Sequence, residues 1–297
     1  MVRKVAVLAL AVLIVGAWVT TAPAYENCND LGYFALQVPS PTAITVDGEA
    51  GDWGWFDPDF IVTTDDMCNT LQGTMPPKSD IDIAIRMGWT PEPDNRLYAM
   101  VVVVDDTMNF DETVMDNGWK DDGLEIILDP DHAGGWHEAA DALRTGHQQW
   151  TFEHSAPGGY PQTAWLRFNQ PPEMQWAIEA GLVEAATNVE PASAAGMTIA
   201  PDVTVGYEVR MPAWDPYMPE GEAASTRWIL QAGQTLGMSV ILDEADAGGR
   251  TDQIATHKLE LGAHDSDMTS EFTLLAIGEY ATAVESSSWG KVKALLH

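Results

Sequence analysis

Residues 117–131, NGWKDDGLEIILDPD, place groups capable of chemistry beside an apolar segment. Trp119 precedes two aspartates, and Glu125 interrupts an otherwise apolar run at residues 124–128. Burying an unpaired carboxylate costs several kcal/mol. Glu125 must therefore face solvent, be paired, or point at a ligand.

The tryptophans are the second feature with chemical potential, since the chain has 12 of them. A flat indole can stack on the apolar face of a sugar ring while carboxylates and amides bind its hydroxyls. Most tryptophans of a globular chain are expected in the core. Trp119 differs because Asn117, Gly118 and Lys120 surround it with polar or turn residues. We therefore predict that Trp119 is a stacking platform.

Catalytic motifs are missing from the sequence. It has no G-x-S-x-G, no phosphate-binding glycine loop and no H-E-x-x-H. Glu125 and Asp129 would share one strand face, but at about 3.3 Å per residue they lie roughly 13 Å apart. That separation exceeds the spacing of glycosidase carboxylates. The chain is predicted not to be an enzyme.

Acidic residues collect where strands are expected to end. The pairs Asp105 with Asp106 and Asp243 with Asp246 follow two apolar runs, where carboxylates could converge on calcium. Solvated strand ends are the alternative interpretation. The net charge of −31 at pH 7 repels nucleic acid and anionic membranes, so neither is expected as a partner.

The first residues predict export. Arg3 and Lys4 precede an apolar run at 5–19, and Ala22-Pro23-Ala24 is typical of a cleavage site, so residues 1–24 are predicted to be a signal peptide. No second segment approaches membrane length, and no membrane insertion is expected after cleavage. Because export favours oxidation, Cys28 and Cys68 are predicted to pair, stabilising by about 3 to 4 kcal/mol.

Period-two alternation of apolar residues, interrupted by Gly, Pro, Asp and Asn, predicts an all-β chain. The predicted strands are residues 81–86, 97–104, 124–128, 148–152, 164–168, 203–211, 238–242, 257–261 and 272–276. Residues 136–143 look helical but lie in a polar connection. Residues 174–183 could form either a strand or a short helix.

Several short motifs occur in the order found in family 9 carbohydrate-binding modules, which this chain resembles. They are residues 44–49 with Asp52-Trp53, residues 97–106, residues 119–129, and residues 207–209 ahead of 236–238. The resemblance covers residues 42–278. It divides the chain into a signal peptide (1–24), an N-terminal extension (25–41), the module (42–278) and a flexible C-terminal tail (279–297).

The resemblance implies an antiparallel β-sandwich of the jelly-roll or immunoglobulin-like kind with long loops, often with bound calcium. In sugar-binding members of the family, Trp119 would match one aromatic wall and Glu125 the acid that binds hydroxyls. The family's sugar-binding arginine lies on the strand matching residues 148–152, where we predict that Trp150 replaces it. The second wall has no equivalent, since no Trp or Tyr lies between residues 238 and 271.

The leading functional prediction is a non-catalytic module that binds a polysaccharide or oligosaccharide outside the cell or at its surface. The alternative is a structural subunit of an extracellular surface layer or filament, in which tryptophans form interfaces and the chain self-assembles. A haem-binding electron-transfer module is a third hypothesis, because 13 methionines and 7 histidines offer axial ligands.

Overall fold

The computed structural model describes residues 27–28, 32–113, 115–136, 146–154, 164–166, 175–246 and 249–279. The predicted signal peptide, the tail beyond residue 279 and the helix-like residues 137–143 lie outside these ranges. Among the described residues, no helix is long and apolar enough to cross a membrane.

The described residues form thirteen strands and very little α-helix, which confirms the all-β prediction. The strands are β1 (Tyr33–Gln37), β2 (Val62–Thr63), β3 (Cys68–Asn69), β4 (Ile81–Trp89), β5 (Leu97–Asn109), β6 (Gly123–Asp129), β7 (Gln148–Phe152), β8 (Ala164–Leu166), β9 (Glu184–Glu190), β10 (Ile199–Met211), β11 (Thr235–Glu244), β12 (Asp252–Ala255) and β13 (Glu271–Leu275). The helix α1 is Trp176–Glu179, and 3₁₀ turns occur at Pro41–Ala43, Ala50–Trp53, Pro58–Phe60, Thr64–Asp66, Met115–Lys120, Glu260–Ala263 and Ser266–Met268.

The strands form two sheets that are joined by β1 and β13. Strand order runs β8-β7-β6-β11-β13-β1-β4-β5-β10-β9, with β12 and β3 beside β11 and with β2 beside β4. We call β8-β7-β6-β11-β12-β3 the first sheet and β2-β4-β5-β10-β9 the second sheet. Pairing is antiparallel except that β1 runs parallel to both β13 and β4.

The main core lies between the two sheets because alternate residues of each strand point inward. From the first sheet it receives Leu124, Ile126 and Leu128, and from the second Val101 and Val103, all at most 5% exposed. The intervening residues point to the opposite, outer faces. The architecture is therefore an all-β sandwich, as predicted.

Two segments differ from the sequence-based expectation. Residues 25–41 are expected to precede the sandwich, yet β1 lies in the sheet between β13 and β4, so this segment is part of the fold. Residues 257–261 are predicted to be a strand, and this is wrong. His257 forms only an isolated bridge with Asn27, and the chain then turns into the 3₁₀ helix Glu260–Ala263.

The outer face of the second sheet is covered by apolar residues of the segment 44–61. Trp53, Phe56 and Phe60 pack there on Tyr98 and Met100 of β5. Polar contacts with Glu208 of β10 also hold this segment against the sheet. This face of the sheet is thus part of a second, smaller core.

The predicted disulfide is confirmed. Cys28 and Cys68 are bonded, with their Cα atoms 5.6 Å apart. The bond closes a loop of 40 residues in sequence separation and ties the N-terminal segment to β3. Loop closure of this length restricts the unfolded chain and stabilises the fold by about 3 to 4 kcal/mol.

Candidate functional site

Glu125 lies on the outer face of the first sheet. Its neighbours Leu124 and Ile126 belong to the main core, whereas Ile127, two residues along, packs outside it against Ile241. Strand alternation therefore turns Glu125 away from the core. Its side chain is still only 1% exposed, and its Oε2 accepts a hydrogen bond of 2.6 Å from Gln149 Nε2.

Several buried polar side chains share this outer face, and we call them the polar face. Register places Thr151 opposite Glu125, and Gln253 opposite Asp243 on β12 and β11. Gln253 Nε2 donates to Asp243 Oδ1 at 3.3 Å. The polar face consists of Glu125, Gln149, Thr151, Asp243 and Gln253, each at most 4% exposed.

The polar face has hydrogen-bonding capacity that the described residues do not use. Gln149 Oε1 and Thr151 Oγ1 are buried and have no hydrogen-bond partner among those residues. A buried polar group without a partner costs about 1 to 3 kcal/mol, and native structures contain few of them. Two such atoms on one strand, both on the side of Glu125, mark a place where a polar ligand would be accommodated.

Trp119 stands beside the polar face, in the 3₁₀ turn Met115–Lys120, and is half-buried. Arg250 Cζ lies 5.0 Å from the centre of its indole ring, and Lys120 Nζ lies 5.4 Å from it. Arg250 Nη1 also contacts Asp243 Oδ1 at 2.8 Å. The guanidinium thus connects the indole to the polar face by a cation–π contact and an ion pair.

Trp150 does not belong to this site, and this prediction needs correction. It is 0% exposed and is paired with Ile126, so it points into the main core, where it meets Tyr217 edge-on at 5.9 Å. The neighbouring positions of β7, Gln149 and Thr151, face the site instead. Residues 148–152 form a strand as predicted, but the prediction assigns the side chain of Trp150 to the wrong face of it.

The two aspartates after Trp119 support the local structure. The Asp122 carboxylate accepts hydrogen bonds from the backbone N–H groups of Asn109 and Ala245, the latter at 2.8 Å. Asp121 accepts one from Glu112 N at 2.8 Å. Asp122 therefore ties the ends of β5 and β11 to the start of β6, which fixes the turn that carries Trp119.

Glu153 closes the site on the side of Gly118. A Cβ atom at position 118 would lie 1.8 Å from Glu153 Oε1, so a larger residue there would require the Glu153 carboxyl to move. Burial, reinforced by the nearby acids Asp121, Asp243 and Glu112, raises the pKa of Glu153 to about 8. At neutral pH the Glu153 carboxyl, which lies beside the Trp119 turn, is therefore protonated.

A separate group of acids, which we call the acidic cluster, contains Asp80, Asp105, Asp106, Glu244 and Asp246. Carboxylate oxygens of Asp80, Asp106 and Asp246 all lie within 4.8 Å of one another, as do those of Asp105, Glu244 and Asp246. The structure thus brings together three of the four predicted calcium ligands. The fourth, Asp243, belongs to the polar face and pairs with Arg250.

Charge repulsion is strong in the acidic cluster. Burial, followed by Asp105 and Asp246, raises the pKa of Glu244 to about 9. Burial and the neighbouring Asp246 and Asp106 raise the pKa of Asp105 to about 6, although its hydrogen bond from Thr107 N opposes the shift. Glu244 Oε2 is also buried and has no hydrogen-bond partner among the described residues. Hard oxygen ligands with these properties fit a calcium ion.

Sequence reasoning missed Arg250 and Gln149 at the site and Glu244 and Asp80 in the acidic cluster. Gln149 and Glu244 could have been found from strand alternation once Leu124 and Asp243 were assigned to a face. Arg250 and Asp80 lie in loops, and no local pattern indicates where a loop side chain folds back.

No protein-family model matches the chain, and no curated protein sequence is similar to it. Its fold is similar to that of a family 9 carbohydrate-binding module from Caldicellulosiruptor kristjanssonii solved in complex with cellotriose, with a TM-score of 0.52, 13% identity, and coverage of 82% of this chain and 94% of that chain. A complex with glucose gives a TM-score of 0.52 at 14% identity, covering 82% of this chain and 95% of that chain. These similarities confirm the predicted β-sandwich of the family 9 module type.

Proposed function

We propose that this protein is a non-catalytic glycan-binding module that acts outside the cell or at its surface. The observation that carries the proposal is the position of Trp119 beside a buried polar face that contains Glu125. An aromatic ring next to convergent carboxylate and amide groups is the arrangement by which proteins bind sugar rings. Export is supported by the disulfide between Cys28 and Cys68, since such bonds persist in oxidising compartments.

The chemistry of the polar face suits sugar hydroxyls. Glu125 is an acceptor, while Gln149 Oε1 and Thr151 Oγ1 have unused hydrogen-bonding capacity. Hydroxyl groups both donate and accept, so one sugar edge can satisfy all three side chains. The fold similarity to modules solved with cellotriose and glucose makes neutral glucose-based chains the first ligands to test.

The test is a glycan array followed by titration calorimetry with cellotriose and related oligosaccharides. We expect Trp119→Ala to weaken the binding of the ligand found on the array at least about fivefold, because stacking of a sugar on an aromatic ring contributes about 1 kcal/mol or more. Trp136→Ala is the matched control, since Trp136 is 49% exposed and outside the site.

Two outcomes would contradict the proposal. One is equal loss of affinity in Trp119→Ala and Trp136→Ala. The other is no binding to plant, algal or bacterial glycans, which would favour the structural-subunit alternative and direct attention to polymers in electron micrographs.

We infer that the acidic cluster would hold calcium, with oxygens from Asp105, Glu244 and Asp246 and, on its exposed side, Asp80 and Asp106. The supporting observation is the buried Glu244 Oε2, which lacks a hydrogen-bond partner among the described residues. The cation would neutralise this end of the sandwich, where β5 and β11 end. Its role would be structural, since none of the residues of the acidic cluster belongs to the polar face that is proposed to bind the sugar.

A further inference from the structure

Resting on the proposed glycan-binding function, we propose that the site selects a glycan carrying a protonated amine, such as a glucosamine oligosaccharide. The ammonium group of the sugar would take the position of the Arg250 guanidinium, between the Trp119 ring and the Asp243 carboxylate. This inference names the class of sugar, which the proposed function leaves open.

The first argument is that the site already contains a cation of the chain itself. Arg250 lies over Trp119 at 5.0 Å and contacts Asp243 at 2.8 Å. Both contacts are specific to a positive charge, because the indole face and the carboxylate are negative. The Arg250 side chain is 14% exposed and the Asp243 side chain 1%. An ammonium group could reproduce both contacts.

A neutral ligand would disturb the ion pair between Arg250 and the buried Asp243 carboxylate. A neutral sugar that stacks on the ring face used by Arg250 must displace the guanidinium, and the Asp243 carboxylate would then lose its cationic partner while buried. Removing one partner of a buried ion pair is strongly unfavourable because the other charge stays uncompensated. A protonated amine exchanges one cation for another and avoids that cost.

The third argument is the charge of the surroundings. Glu125 lies on the polar face with Asp243, whereas Arg250 and Lys120 are the cations that contact the ring among the described residues. The whole chain carries a net charge of −31. Such a field concentrates cationic ligands near the protein and repels uronic or sulfated glycans.

The test compares three trisaccharides with the full chain by calorimetry: glucosamine trimer, its N-acetylated form and cellotriose. Measurements are made below the pKa of the sugar amine and at fixed ionic strength. We expect the glucosamine trimer to bind about tenfold more tightly than the other two. Equal or tighter binding of cellotriose would overturn the amino-sugar inference and leave the proposed function intact, whereas failure of all three to bind would count against both.

Variants separate the specific contact from general attraction. Arg250→Gln removes the internal competitor, so the affinity for the glucosamine trimer should rise by a larger factor than that for cellotriose, because only the amine forms an ion pair with Asp243. Asp243→Asn should abolish the preference for the amine, with thermal unfolding used to verify that the variant is folded. Glu190→Gln, an exposed change of the same charge on β9, is the control. Equal effects of Asp243→Asn and Glu190→Gln would reduce the preference to bulk electrostatics and overturn the inference.

Discussion

Two buried glutamates of this protein show opposite ways of accommodating a carboxylate. Glu208, on the outer face of the second sheet, is 0% exposed and accepts three hydrogen bonds. They come from Trp53 Nε1 at 2.8 Å, Asp47 N at 2.9 Å and Gly48 N at 3.1 Å. Glu244, at the end of the first sheet, is 2% exposed but is surrounded by other acids. Among the described residues, donors satisfy the first carboxylate, whereas Oε2 of the second has no hydrogen-bond partner.

This difference separates the parts of the molecule that serve the fold from those that we propose to serve a ligand. Both regions carry motifs of the resemblance, and both combine a tryptophan with acids. Around Glu208, Trp53 and the turn at Gly48, whose φ is 82°, belong to the segment that covers the outer face of the second sheet. Around Trp119 and the acidic cluster, polar atoms keep hydrogen-bonding capacity. The same residue types therefore have a structural role in one region and, in our proposal, a binding role in the other.

The largest effect that would sharpen this comparison is expected from Glu208→Gln. Both carboxylate oxygens of Glu208 accept hydrogen bonds, so the amide of glutamine must direct its NH₂ group at an N–H donor. Losing charge-assisted hydrogen bonds in a buried site should lower the free energy of unfolding by about 3 kcal/mol. Urea unfolding followed by tryptophan fluorescence measures this change.

Glu125→Gln is the matched comparison on the first sheet. The hydrogen bond from Gln149 can be accepted by the amide oxygen of glutamine, so stability should change by less than about 1 kcal/mol while glycan affinity falls. A loss of stability as large as that of Glu208→Gln would remove the distinction between a structural and a binding glutamate.

How far the sequence predicts this protein depends on whether the information is local. Strands β4, β5, β6, β7 and β10 follow from apolar alternation, which each strand records in its own residues. The disulfide follows from export and the presence of only two cysteines. Glu125 is singled out by the sequence because a charge in an apolar run demands an explanation, and the structure places it on the outer face of the first sheet.

The predictions that were wrong also have physical explanations. Trp150 was assigned to the site because an aromatic residue suits a sugar, but strand alternation turns it into the core. Residues 257–261 alternate like a strand, yet His257, with both nitrogens unpaired among the described residues, is buried against Gly262 where the chain turns. The contact of Arg250 with Trp119 joins residues more than a hundred positions apart, which no local pattern predicts.

Calcium binding tests the role of Glu244, whose Oε2 atom has no hydrogen-bond partner among the described residues. Calcium at one hundred times its dissociation constant should raise the free energy of unfolding by about 2.7 kcal/mol, because the proposed site exists only in the folded acidic cluster. Thermal unfolding in chelator, in millimolar calcium and in sodium chloride of equal ionic strength measures the effect. Equal melting temperatures in the two salts would mean screening alone.

Glu244→Gln assigns the calcium effect to a residue. Replacing the buried carboxylate removes a ligand and relieves repulsion, so the variant should be at least as stable as the wild type in chelator but gain less from calcium. Glu190→Gln, which alters the net charge equally at an exposed position, should retain the full calcium effect. A full calcium effect in Glu244→Gln would locate the binding elsewhere.

The pH dependence of stability tests whether Glu153 resembles Glu208 or Glu244. Burial first, and then nearby acids, raise its pKa from the ordinary value of 4.5 to about 8. Between these values the folded protein keeps the proton and the unfolded chain has lost it, so stability falls as pH rises through this window. One fully shifted carboxyl contributes up to about 1.4 kcal/mol per pH unit.

Glu153→Gln should remove this contribution, because glutamine imitates the protonated form at every pH. Measured in chelator, the free energy of unfolding of Glu153→Gln minus that of the wild type should increase from pH 5 to pH 8 and then level off. Other acids titrate in both proteins and cancel in the difference, and Glu190→Gln should show no such trend. A difference that stays constant across this range would mean that donors of the chain stabilise the ionised Glu153, as they do Glu208, and the contrast between the two regions would not extend to the rim of the Trp119 site.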